Sequence, residues 1–94
     1  MYRPSSCPVA YHLQLLASCQ RQQARLLRYA TSPVYGGHDQ FIRKAHQQEF
    51  NAETQLAMAR AAAQKYPTCP NGRKIPDSAD SVPEGYDREC GCQT

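Results

Sequence analysis

The chain has 94 residues, 40% hydrophobic and 20% charged, with no Trp and only two Phe. That length holds one small domain at most, and no apolar run approaches the roughly 18–20 residues that cross a bilayer. The formal net charge of +3 is far below the dense basic stripe of a dedicated nucleic-acid binder.

The charge is unevenly placed. Residues 1–66 carry eight Lys and Arg against three Asp and Glu, whereas residues 67–94 carry three against five. The opening residues Met1–Pro8 have neither an apolar stretch nor a small-residue cleavage site, so no secretory signal is expected.

A first helix is predicted over about 8–30. Pro8 suits the first helical position, where its missing N–H is an orphan in any case. At roughly 100° per residue, Val9, Leu13, Leu16, Gln20, Gln23 and Leu27 share one face. Leu15, Cys19 and Leu26 widen it, and Arg21, Arg25 and Arg28 fall on the opposite side. Thr31-Ser32-Pro33 ends the helix, because the residue before proline is pushed out of the helical region.

A short Gly36-Gly37 connection leads to a second helix, predicted over about 39–66 with Asp39 as N-cap. Pro67 stops it. Phe41, Ala45, Ala52, Leu56, Ala59, Ala63 and Tyr66 line its inward face, and Ala45, Ala52 and Ala59 recur every seven residues. Small residues at that repeat let two helix backbones approach closely. The expected fold is therefore all-α: an antiparallel helical hairpin over 1–66, followed by an extended tail over 67–94. Four Pro and three Gly in that tail leave no helical or alternating period. Ile75, Val82 and Tyr86 are its expected apolar anchors.

This hairpin has a thin seam. Alanines contribute little at roughly 25 cal/mol per Å² of buried apolar surface, and ordering two helices costs much entropy. Leu15, Leu26, Phe50 and Met58 lie outside the central stripe and would stay wet in a monomer. Such a chain needs staples, a metal, self-association or a larger body to lie against.

Five cysteines, Cys7, Cys19, Cys69, Cys90 and Cys92, allow at most two bridges and leave one thiol over. Two bridges among five can be arranged in fifteen ways. Antiparallel packing brings Cys7 toward Cys69 and puts Cys19 within reach of Cys90 or Cys92. Bridges Cys7–Cys69 and Cys19–Cys90 would clip the tail along the hairpin, adding about 2–4 kcal/mol each. The alternative is free buried thiols in a reducing cell. Cys90-Gly91-Cys92, with Cys69 and a histidine, could instead hold zinc or Cu(I). Asp87 and Glu89 favour a protonated thiol there and argue against a redox-active pair.

A proline-flanked Cys opening a helix, a second Cys further along it and a helical hairpin with no cleavable signal resemble the coiled-coil-helix-coiled-coil-helix proteins of the mitochondrial intermembrane space. The resemblance covers about residues 5–66. It brings no disulfide pairing with it, because the second helix has no cysteine. It implies an accessory subunit or assembly factor of a respiratory-chain complex, held in that compartment.

His12, His38 and His46 form no HxxxH or HExxH pair, and no phosphate-binding or nucleophile-elbow pattern occurs. Glu49 and Glu53 read as a solvated patch near Arg43, Lys44 or Arg60. No catalytic residue, cofactor or small-molecule substrate is expected. The expected function is a structural accessory subunit of a larger protein complex, peripheral to a membrane at most. Contact is expected through Leu15, Leu26, Phe50 and Met58, the Arg21, Arg25 and Arg28 face, and Ile75, Val82 and Tyr86. The rival readings are a small metal carrier using Cys69, Cys90 and Cys92, and a ribonucleoprotein component using the arginines on RNA.

Overall fold

The structure, a computed structural model, describes residues 7–34 and 38–90. Two helices pack against each other, α1 over Pro8–Thr31 and α2 over His38–Lys65, and a short 3-10 helix, η1, follows at Pro70–Lys74. Among the described residues there is no strand.

The helix ends follow from local chemistry. Cys7 is the N-cap of α1 in extended conformation, and its Sγ accepts from the Ala10 N–H at 3.5 Å. Pro8 occupies the first position, as its missing donor allows. At the other end the Ser32 N–H closes onto the Tyr29 carbonyl, and Arg28 lies in the last turn, where a cation suits the helix dipole. In α2 Asp39 falls in the first turn rather than at the expected cap position, because the helix begins one residue earlier. A carboxylate there still faces the positive end of the helix, and Lys65 faces the negative end.

Two cross-helix contacts define the antiparallel register. The His12 ring Nδ1 and the Gln55 Oε1 lie 2.8 Å apart near one end. The Tyr29 and Phe41 rings lie 5.6 Å apart near the loop. Between these points the helices share one seam. Val9, Leu13 and Leu16 of α1 are fully buried, and Ala52, Leu56 and Ala59 of α2 complete the same cluster. Ala45 is also fully buried, so the seven-residue alanine repeat forms the close-approach surface of α2. Leu27, expected inward, is 44% exposed. It lies in the loop half of the hairpin, where Ala45 is, among the described residues, the one of α2 buried before Ala52.

The segment after α2 folds back along the hairpin. Proline-rich composition suggested an extended chain, yet Pro70 starts a 3-10 turn because its fixed φ suits a first helical position. Ile75, Ala79, Tyr86 and Cys90 then pack against the core cluster. Pro83 is buried, while its neighbour Val82 is 60% exposed. Gly85 has φ of +70°, a left-handed turn that glycine adopts without a Cβ penalty. The whole molecule measures 49 × 28 × 17 Å.

Candidate functional site

Three cysteines from three separate segments converge at the end of the hairpin away from the loop. Cys7 caps α1, Cys69 caps η1, and Cys90 lies near the end of the tail. The Cys7 and Cys69 Sγ atoms are 3.5 Å apart, and those of Cys69 and Cys90 are 3.6 Å apart. All three sulfurs lie within 4.8 Å of one another. Cys7 and Cys69 are buried and Cys90 is half-buried. Among the described residues they are the group that could hold a metal.

Asn71 organises this corner. It is 2% exposed. Its Nδ2 donates to Cys7 Sγ at 3.2 Å and to the Asp87 carbonyl at 2.7 Å, while its Oδ1 accepts from the Asp87 N–H at 2.6 Å. One carboxamide therefore joins the start of α1, η1 and the tail. Burying it without partners would cost several kcal/mol; with three bonds it becomes a fixed strut.

Two further side chains tie the tail down. Gln20 Nε2 donates to the carbonyls of Ala79 at 2.6 Å and Ser81 at 2.9 Å. Its Oε1 is buried and has no partner, so the donors decide how the amide is turned. Arg60 Nη2 donates to the Asp77 carbonyl at 2.9 Å. In the sequence Arg60 reads as a surface ion-pair partner and Gln20 as part of the helix seam; carbonyls 59 and 61 positions from Gln20 and 17 from Arg60 leave no trace in local pattern.

The remaining expected residues separate into two sets. Cys19 packs at the edge of the core and is not one of the three clustered thiols. Burial pushes its pKa up, against a smaller lowering by a backbone hydrogen bond. Cys92 lies outside the described residues. Ile75 and Tyr86 rest on the core of the chain itself. Leu15 and Leu26 are half-buried, and Arg21, Arg25 and Arg28 are exposed. Phe50 is 65% and Met58 45% exposed. His12 is engaged with Gln55, and His46 is exposed.

An open groove of about 720 Å³ runs beside Cys69, lined by Ala63, Pro67, Thr68, Pro70, Gly72 and Arg73. No helix is long and apolar enough to cross a membrane among the described residues. No protein-family model matches the chain, and no curated protein or solved structure is significantly similar to it.

Proposed function

We propose that this protein is a non-catalytic structural subunit that docks through the loop half of its hairpin onto an acidic, partly apolar surface of a larger protein assembly. The observation that carries this reading is the uneven distribution of core. The main core cluster lies at the thiol end of the hairpin and beneath the tail. After Ala17 no residue of α1 is buried, and among the described residues of α2 only Ala45 is buried before Ala52. Leu27, Ile42 and Phe50 are exposed in that half, with Leu26, Tyr29 and Phe41 only half-covered. Arg21, Arg25, Arg28, Arg43 and Lys44 surround them, against Asp39 and Glu49. A partner presenting carboxylates around apolar side chains complements this surface in both charge and polarity.

The proposed host is a mitochondrial respiratory-chain assembly facing the intermembrane space. The support is the cysteine-bearing hairpin and its resemblance to the small helical proteins of that compartment. Docking of the loop half is compatible with either a Cys7–Cys69 disulfide or a metal at the other end.

Native size separation of extracts tests the proposal. The wild-type chain is expected in a large, salt-resistant protein assembly, and Phe50→Ser with Leu27→Ser is expected to move it into the free pool. If the double variant stays assembled, the loop half is not the docking surface. If association instead depends on RNA and falls steeply with salt, the chain is a ribonucleoprotein component.

A further inference from the structure

We propose that Cys7, Cys69 and Cys90 form a structural zinc(II) site that fastens the tail to the start of the hairpin, independently of what the loop half binds. The geometry of the sulfurs is the first support. Zinc–sulfur bonds of about 2.3 Å at tetrahedral angles place neighbouring sulfurs roughly 3.8 Å apart. Here two pairs stand at 3.5 and 3.6 Å, and the third pair is within 4.8 Å. A single ion can therefore reach all three after small side-chain adjustments. A disulfide would use two of them and leave the third thiol unused beside the bridge.

The surroundings are the second support. Metal-bound sulfur is a thiolate, and a thiolate in a buried position needs N–H donors. Cys7 Sγ accepts from the buried Asn71 carboxamide at 3.2 Å and from the Ala10 backbone at 3.5 Å. It also sits at the N-terminus of a 24-residue helix, whose dipole favours negative charge. Asn71 is itself held by two short hydrogen bonds to the Asp87 backbone, and outer-shell groups of this kind fix ligands to a metal. Three thiolates and one Zn(II) leave a single negative charge. Binding releases the three thiol protons to solvent, and no electron is transferred. Three thiolates would leave one tetrahedral position for a further donor.

The site draws its ligands from both ends of the chain, which distinguishes it from a zinc knuckle built within one short loop. Its role is architectural: it joins positions 7, 69 and 90 and thereby closes the tail against the seam.

The test is anaerobic addition of Zn(II) to the full-length, reduced, metal-free chain, followed by native mass spectrometry and chelator competition. One zinc per chain is expected, together with proton release and slower hydrogen exchange over residues 86–90. Cys7→Ser, Cys69→Ser and Cys90→Ser are each expected to weaken binding at least about ten-fold, and Cys19→Ser to leave it unchanged. Asn71→Leu is expected to weaken binding by about ten-fold, as for loss of an outer-shell partner. Cobalt(II) added to the wild-type chain supplies a readout that needs no variant. Intense thiolate-to-cobalt charge-transfer absorption supports the site, and a weak octahedral spectrum overturns it. Failure of the wild-type chain to take up zinc, uptake indifferent to all three cysteines, or a Cys7–Cys69 disulfide in the native protein would each refute the proposal.

Discussion

At the scale of single residues, Asn71 carries more of the fold than its type suggests. Its carboxamide bonds to the Asp87 backbone twice and to Cys7 once. Asn71→Leu removes both bonds to the part-buried Asp87 backbone and the bond to Cys7, so a loss of about 1–3 kcal/mol is expected, measurable by denaturant titration of the chain. Nothing local pointed to it: an asparagine between proline and glycine reads as a turn residue, and its partner lies sixteen positions on. Gly85 was likewise invisible in sequence. Its positive φ predicts that Gly85→Ala costs about 1 kcal/mol, read from the same titration. Cys19 behaves differently from a free thiol. Because burial raises its pKa, it is expected to alkylate more slowly in the folded chain than in the unfolded one. The sign for stability follows: the protonated thiol is favoured by folding, so its contribution is complete below the ordinary thiol range and is lost as pH rises through the elevated folded value.

At the scale of elements, the hairpin was largely legible. Pro8, Ser32-Pro33 and Pro67 punctuate the chain by steric rules that act within a turn or two. The recurrence of Ala45, Ala52 and Ala59 placed the seam of α2, and all three are buried. The seam depends on their size. Ala52→Leu adds three heavy atoms where two backbones approach, and overpacking of that kind costs about 1–3 kcal/mol; a lowered melting temperature checks it. Leu13→Ala opens a cavity instead and is expected to cost about 2–5 kcal/mol. The tail was not legible. Periodicity detects faces of regular elements, and residues 75–90 have none. Their position is set by Gln20, Arg60, Asn71 and the thiols, each acting across a long stretch of chain. Composition identified five cysteines but not which three meet. Antiparallel packing placed Cys7 beside Cys69 and put Cys19 within reach of Cys90 or Cys92, whereas Cys90 joins the Cys7–Cys69 pair and not Cys19.

At the scale of the whole molecule, the two ends have different physical characters. One end is cross-braced by a core, a strut and three sulfurs. The other is a bare helix pair with basic and apolar side chains facing water. The isolated, reduced, metal-free chain is therefore expected to melt broadly. Hydrogen exchange should be fastest near the loop and slowest around Leu13, Leu16 and Ala59. Zinc should raise stability at the braced end by mass action, and the docking partner should protect the bare one. A single sharp melt of the metal-free monomer, with uniform protection along both helices, would contradict this division.

The strut has a further chemical consequence. Asparagine followed by glycine is the pair in which the next backbone nitrogen most readily attacks the side-chain amide and expels ammonia. Here the Gly72 N–H is engaged by the Cys69 carbonyl, and the Asn71 amide is gripped at both ends, so cyclisation is blocked while the fold is closed. A chain that has lain open long enough would return with a carboxylate where an N–H should meet the Cys7 sulfur. Ageing of an unfolded sample at neutral pH should thus be recorded as irreversible loss of the closed tail, with one extra negative charge mapped to position 71.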